Sequence, residues 1–192
     1  MPVIIFDLDG TLVDTQIDWD EVRSKVRKVL GLDNNAPLKP LATSLLSLYR
    51  YMPKFNEALK VVEEEELKSI RIAKFDEELP LLLRRLKKCG FKLALVTLRS
   101  RRTSKPLMNI MGIEELFDIV ITRDDIPYRE EQLKRVLDTF MDNEVIFITD
   151  FDYEVNMAKR LGIKVFLVKS YRDTSKIIKD ILNNCLFNGL SN

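Results

Sequence analysis

Short stretches of uninterrupted apolar residues recur along the chain, each closing on polar residues and followed by a segment with apolar positions every three or four residues. Five such runs stand out, at residues 3–8, 91–97, 118–122, 145–149 and 164–168. Their Val, Ile, Leu and Phe are continuous and do not alternate with polar residues, the pattern of strands covered on both faces of a parallel sheet. Three-and-four spacing predicts helices at about residues 101–111, 129–141 and 152–161 between the later runs, with Gly112 and Gly162 as C-terminal stops. The pattern therefore predicts an α/β fold with a parallel sheet of at least five strands.

The first two runs are separated by about eighty residues, far more than one crossover helix requires. This stretch reads as helices at 19–30 ending at Gly31, 41–51 ending before Pro53, 55–74, and 77–89 ending at Gly90. The last belongs to the sheet as its crossover helix, with Asp76 as a cap and Pro80 in the first turn, where a missing N–H does little harm. The expected organisation is a core formed by residues 1–14 and 76–192, interrupted by an all-helical unit at 15–75 near the C-terminal edge of the first strand.

Charge and composition narrow the function. Thirty-one basic residues against thirty acidic ones leave a net charge of +1, so there is no global field to gather nucleic acid or an anionic membrane. Any attraction for an anion has to be local. No basic leader or membrane-length apolar run is visible, which predicts a cytoplasmic protein. Cys89 and Cys185 match no metal-binding spacing and read as incidental reduced thiols. The chain has no histidine, which excludes Ser-His-Asp, Cys-His and His-metal chemistry and leaves carboxylates, hydroxyls, Lys and Arg.

Those groups gather at the strand ends. In open α/β sheets ligands bind outside the carboxyl ends of the strands. The first run ends in Asp7-Leu8-Asp9-Gly10-Thr11, the second in Thr97, and the fourth in Thr149-Asp150 followed by Asp152 and Glu154. Asp7 and Asp9, two residues apart, project to the same side of an extended chain, and Gly10 lets the backbone turn beneath a ligand. Such a pair can divide nucleophilic attack from proton transfer. Several carboxylates packed together repel one another unless a hard cation neutralises them, and oxygen-only ligands suit Mg²⁺.

These residues resemble the haloacid dehalogenase superfamily, whose first motif is an apolar strand ending in Asp-x-Asp-Gly-Thr. Its second motif, a strand ending in Thr or Ser, is similar to Leu93-Ala94-Leu95-Val96-Thr97, and its acidic fourth motif to Thr149-Asp150-Phe151-Asp152-Tyr153-Glu154. The likeness covers essentially the whole chain and is greatest to the phosphoglycolate phosphatase-like members. It implies a Rossmann-like three-layer sandwich carrying a small helical cap. It also implies that Asp7 is the nucleophile and a Mg²⁺ ligand, that Asp9 is the general acid/base and binds the metal through its carbonyl, and that Asp150 is a further ligand. Thr97, with Leu98 and Gly10 beside the phosphate, would bind the phosphoryl group, and Glu154 would orient metal-bound water. The family's third motif carries a Lys, often before Pro. No Lys-Pro occurs between the third and fourth runs, and Arg129 aligns best to it, with Lys134 and Arg123 as alternatives. The fourth motif has Thr149 where the family commonly has Gly or Asp.

The implied activity is hydrolysis of a small phosphorylated metabolite through an aspartyl phosphate on Asp7. A phosphomutase sharing that intermediate, and a non-catalytic binding relative, are the alternatives; dehalogenation fits less well, since a halide needs no proton from Asp9. Other features read as structural. Asp14 and Thr15 read as caps at the entry to the insertion. Glu63 to Glu66 read as a solvated helix face with Glu64 and Lys68 suitably spaced to pair. Trp19, Tyr49 and Tyr51 read as packing residues, and Arg99 to Lys105 as a solvated helix start. Oligomeric state is not legible in the sequence.

Overall fold

The computed structural model describes residues 2–141 and 143–189, with side chains of the last helix described through Asn184. In chain order the elements are β1 (Val3–Phe6), β2 (Val13–Asp14), α1 (Trp19–Leu30), α2 (Leu41–Leu48), α3 (Phe55–Ser69), β3 (Lys74–Phe75), α4 (Leu79–Lys88), β4 (Lys92–Val96), α5 (Arg101–Met111), β5 (Ile119–Ile121), α6 (Arg129–Thr139), β6 (Val145–Thr149), α7 (Asp152–Arg160), β7 (Lys164–Leu167) and α8 (Tyr171–Gly189). The five apolar runs form one parallel sheet in the order β5-β4-β1-β6-β7. β1 is central, and Phe6 is level with Leu95 of β4 on one side and Ile148 of β6 on the other. The chain moves outward from β1 to β4 and β5, then returns across β1 to β6 and β7. The order thus reverses beside β1, where an open α/β sheet leaves a crevice at its carboxyl edge.

Alternate residues of β1 feed two separate cores. Ile4 and Phe6 pack with α4, α5 and α8 through Leu83, Leu107 and Ile178. Val3 and Ile5 pack with α6 and α7 through Leu133, Val136 and Ala158. The helices of the leftward crossovers therefore lie on one face and those of the rightward crossovers on the other, as a single crossover hand requires. All four β1 side chains are fully buried, and each such apolar side chain stabilises by roughly 1.5–3 kcal/mol, so the strand that ends in Asp7 is firmly held.

Helices α1, α2 and α3 close on a third core of their own, centred on Val22, Val26, Leu45, Ala58 and Val62. The chain enters this unit through β2 and leaves through β3, and the two pair antiparallel with Val13 opposite Phe75. This ribbon was not foreseen. It ends α3 at Ser69, short of the expected 74, because the following residues turn back to pair with 13–14. Likewise α2 stops at Leu48 and not at 51, since Tyr49 leaves the helical region. The capping expectations hold only in part: Asp18, not Asp14 or Thr15, caps α1 by accepting from the backbone N–H of Asp20 and Glu21. Asp76 accepts from Glu78 N–H at the start of α4, which has Pro80 in its first turn. Helix α8 also escaped the sequence reading, and its Thr174 hydroxyl donates to the carbonyl of Thr11 at 2.6 Å, bracing the loop after β1. Cys89 closes α4, and the Cys185 side chain lies outside the described residues. Among the described residues no helix is long and apolar enough to cross a membrane.

The expected solvated face of Glu63 to Glu66 is instead a polar seam between α3 and the core. Glu63, Glu66 and Ser69 share one helix face, and Glu66 is 1% exposed. Its carboxylate pairs with Arg123 and accepts from the Thr103 hydroxyl at 2.7 Å. Glu63 takes Arg102 at 2.9 Å. Lys68 pairs with Glu65, one position from the expected Glu64. Burial pushes the Glu66 carboxyl above its ordinary range, although Arg123 and Arg99 pull the other way. Arg123→Met should therefore destabilise the fold by about 3 kcal/mol near neutral pH, the scale for removing one partner of a buried pair. Without its partner, Glu66 has a still higher folded-state pKa, so the loss should shrink as the pH falls and the carboxyl protonates. Urea unfolding of both proteins at pH 5 and pH 8 checks this; equal midpoints at pH 8 would contradict a buried pair.

Candidate active site

The loop leaving β1 puts Asp7 at the strand end and Asp9 one pleat further on. Asp7 is buried, and its Oδ1 accepts from its neighbour Leu8 N–H at 2.8 Å and from Arg129 Nη2, also at 2.8 Å. Asp9 accepts from the Thr15 hydroxyl at 2.9 Å, and its other oxygen lies 3.4 Å from Arg99 Nε. Gly10 has φ +75°, and any Cβ there would overlap the Asp150 carboxylate. Glycine is required at this position for both reasons. Beside it, the Thr11 hydroxyl donates to Asp150 Oδ1 at 3.2 Å.

Arg129 begins α6 and is buried with every arm of its guanidinium engaged. Nε donates to Glu154 Oε1 at 2.7 Å, Nη1 to Gln132 Oε1 at 2.8 Å, and Nη2 reaches Asp7. The alternatives lie elsewhere: Lys134 pairs at the surface with Glu130 and Glu131, and Arg123 is committed to Glu66. Thr149, the departure from the family's fourth motif, has a use here. Its hydroxyl donates to Glu154 Oε2 at 2.7 Å and accepts from Phe151 N–H at 3.2 Å, fixing both the acid and the turn into α7. At the end of β4 the Thr97 hydroxyl accepts from Arg99 N–H at 3.1 Å, which leaves its own proton for a ligand.

Asp7, Asp9, Gly10, Thr97, Leu98, Arg129, Asp150 and Glu154, the whole set read from the sequence, line one cavity of about 430 Å³ between the sheet edge and the helical unit. That size suits a small ligand. Three contributors were missed. Gln132 is fully buried and joins Arg129 to the β4 end by donating to the Thr97 carbonyl at 2.9 Å; its place three residues after Arg129, on the same helix face, was the available signal. Thr15 holds Asp9. Arg99, expected on a solvated helix start, is 1% exposed and faces the cavity. Trp19, expected only to pack, also lines the cavity, whereas Tyr49 packs on the helical core and Tyr51 is exposed.

Electrostatically the site is short of positive charge. Burial lifts the Asp7 carboxyl well above the ordinary carboxylate range; Arg129 pulls it back in part, and Glu154, Asp150 and Asp9 push it further up. Burial opposes the charge on Arg129, but Asp7 and Glu154 outweigh it and its pKa is raised. Asp150 is open to the cavity, yet the surrounding protein desolvates its carboxyl and, with Glu154 and Asp9, raises it to about 6 against the Thr11 hydrogen bond. Among the described residues no three Asp, Glu, Cys or His side chains form a ready metal cluster. Two carboxylates with a backbone carbonyl remain an oxygen-only donor set that fits a hard divalent cation.

Comparison with known proteins bears on family and fold. The model of the haloacid dehalogenase-like hydrolase family matches residues 4–168. A phosphoglycolate phosphatase of Aquifex aeolicus is 30% identical over 179 residues, spanning 87% of this chain and 84% of that protein. The pyrophosphatase PpaX of Bacillus cereus is 27% identical over 184 residues, spanning 86% and 82%. In fold, the chain superimposes on a haloacid dehalogenase-like hydrolase from Streptococcus pneumoniae with a TM-score of 0.62 and 20% identity, covering 93% of this chain and 90% of that one. With the family model spanning the sheet and the strand-end residues alike, the chain belongs to the haloacid dehalogenase-like hydrolases.

Proposed function

We propose that this hydrolase is a magnesium-dependent phosphatase that cleaves a small phosphomonoester through an aspartyl phosphate on Asp7. The observation that carries this reading is the Asp7 carboxylate, tied by one oxygen to Arg129 and Leu8 N–H at the floor of a small cavity shared with Asp9, Thr97 and Asp150. With Oδ1 occupied by two donors, Oδ2 is the oxygen that attacks. The names of the relatives, phosphatase and pyrophosphatase, support phosphorus as the centre attacked.

In the first step Asp7 Oδ2 bonds to phosphorus, the phosphorus–ester oxygen bond breaks, and the departing oxygen takes a proton from Asp9. In the second, Asp9 accepts a proton from water, the water oxygen bonds to phosphorus and the acyl phosphate bond breaks. Inorganic phosphate leaves, with Asp7 free and Asp9 protonated again. The Thr97 hydroxyl, the Leu98 and Gly10 backbone and Arg129 hold the phosphoryl oxygens as charge spreads over them. Thr15 and Arg99 keep Asp9 turned toward the leaving oxygen. Asp7, Asp150 and the Asp9 carbonyl would hold Mg²⁺, which would supply the missing positive charge, and Glu154, locked by Thr149 and Arg129, fixes the surroundings of that site. Residues 15–75 act as a cap: Lys39 lies over the Phe151 ring at 5.8 Å across the cavity mouth, and the Thr43 hydroxyl donates to the Pro127 carbonyl at 3.4 Å. Such a cap excludes water from the first step.

Purified protein with Mg²⁺ should release phosphate from p-nitrophenyl phosphate and from a panel of small phosphate esters. Asp7→Asn should lower that rate by a factor on the order of 10⁴ or more, while still unfolding in a single cooperative transition. Equal activity of the two proteins would remove Asp7 from the reaction.

A second expectation concerns the cation. A carboxyl with a folded-state pKa raised above its unfolded value contributes stability that is fully present below the unfolded pKa and is lost as pH rises through the folded one. For Asp150 the loss occurs as the pH rises toward and through about 6, where the unscreened anion disfavours the fold and a divalent cation relieves it. Added Mg²⁺ should therefore raise the melting temperature by several degrees at pH 7.5 and by little at pH 5, where protons compete for the same oxygens. An identical Mg²⁺ effect at both pH values, or none in wild type, would argue against a cation at Asp150.

A further inference from the structure

Gln132 hydrogen-bonds two of the groups assigned to the phosphoryl oxygens, Arg129 and Thr97, yet it does not itself line the cavity. Its side chain is fully buried. Oε1 accepts from Arg129 Nη1 at 2.8 Å, and Nε2 donates to the Thr97 carbonyl at 2.9 Å and to the Ile126 carbonyl at 2.8 Å. One amide thus joins the start of α6, the end of β4 and the loop after β5. It fits only one way round: turned over, its NH₂ would face a guanidinium N–H and its oxygen two carbonyls.

Packing does not account for this residue. Leu133 and Val136 already bind α6 to the sheet, and a buried amide is tolerated only when its groups are paired. What Gln132 adds over an apolar side chain is direction. Thr97 is held on its other side by its own N–H, which donates to the Ile121 carbonyl at 2.9 Å, and its hydroxyl accepts from Arg99 N–H at 3.1 Å. With Gln132 on the carbonyl, the place of the Thr97 hydroxyl is set. For Arg129, Glu154 fixes one edge of the guanidinium and Gln132 fixes its plane, which aims Nη2 at Asp7. Glu154 can hold Arg129 without reference to β4; Gln132 ties the guanidinium to the Thr97 end across the sheet edge.

During in-line transfer the three equatorial oxygens of the phosphoryl group flatten into a plane. Donors free to follow those oxygens bind the tetrahedral and the flattened group alike, whereas donors fixed relative to one another can favour the flattened one. Resting on the phosphatase reading above, we propose that Gln132 is a positioning residue: it fixes the Arg129 guanidinium relative to the Thr97 hydroxyl, so that the pair fits the phosphoryl group in transfer better than tetrahedral phosphate. It acts through those two groups and touches no substrate atom.

Gln132→Met, of nearly the same length, removes all three hydrogen bonds; Gln132→Asn keeps the amide but is one methylene too short to reach both partners. In each, kcat for p-nitrophenyl phosphate with Mg²⁺ should fall at least about tenfold while KM changes less than about threefold, the split expected when an interaction is made in the transition state. By calorimetry with Mg²⁺, wild type should bind orthovanadate, which adopts five-coordinate geometry, more tightly than inorganic phosphate. The variants should lose at least about tenfold in vanadate affinity and less than about threefold in phosphate affinity. In a Thr97→Val background the change at 132 should cost less than in wild type, because one of the two groups it aligns is gone. An unchanged kcat, equal losses for vanadate and phosphate, or a lowered melting temperature with kcat intact overturns the proposal and leaves Gln132 a brace for α6. If Gln132→Met does not fold, Gln132→Asn decides, and failure of both to fold overturns the proposal as well. The binding arm needs no turnover and so keeps the two readings apart. If the vanadate preference depends on Gln132 while no ester is hydrolysed, the phosphatase reading fails and the alignment stands; if esters are hydrolysed and the preference survives both substitutions, the reverse is true.

Discussion

A carboxylate that must attack phosphorus has to be anionic in a place where water cannot keep it so. On the proposed mechanism Asp7 is in that position: it ends a strand whose four residues are fully buried, and burial alone drives its carboxyl toward the neutral form. Among the described residues the one positive charge paired with it is Arg129, itself buried and held by Glu154 and Gln132. Much of the site follows from keeping that guanidinium still. Thr149 fixes Glu154, and Gln132 ties Arg129, the first residue of α6, to the end of β4. The remaining deficit of positive charge is the physical case for a cation at Asp7 and Asp150. Arg129 is the proposed counterpart of the family's Lys, and its planar fork fixes the directions to Asp7, Glu154 and Gln132.

The helical unit is joined to the core by charge as much as by packing. Its own core is closed around Val22, Val26 and Leu45, so it does not need the sheet to bury its apolar residues. Across the boundary run the seam of Glu63, Glu66 and Ser69 against Arg102, Arg123 and Arg99, the Thr43–Pro127 hydrogen bond, the Lys39–Phe151 contact and the two-stranded ribbon through which the chain enters and leaves. Arg99 belongs to the seam and to the cavity together.

The parallel sheet was legible because five continuous apolar runs have few other places to go, and the acids at Asp7, Asp9 and Asp150 because each stands where a run stops. Thr97 and Glu154 followed from the same logic. What escaped depended on partners distant in sequence. Glu66 continues the Ala58–Val62 face of α3 and Glu64 does not, but the charge that compensates a buried carboxylate there comes from Arg123, 57 residues away. Arg99 looked like the first of several exposed basic residues, and its burial comes from α3 folding over it. The β2–β3 ribbon is too short to show a period of two, and α8 lies beyond the last strand, where the repeating pattern that identified the other helices has ended. Thr149 looked like a defect in a motif until its hydroxyl was seen between Glu154 and Phe151.

The central claim is that phosphate passes through Asp7 as an acyl phosphate, and the most direct measurement is to trap it there. Enzyme quenched during turnover with Mg²⁺ and a small phosphate ester, then treated with borohydride, should carry homoserine in place of Asp7 in the peptide containing residues 3–13, with Asp9 unmodified. Turnover without that conversion, or with the modification at Asp9 or Asp150, would contradict the account.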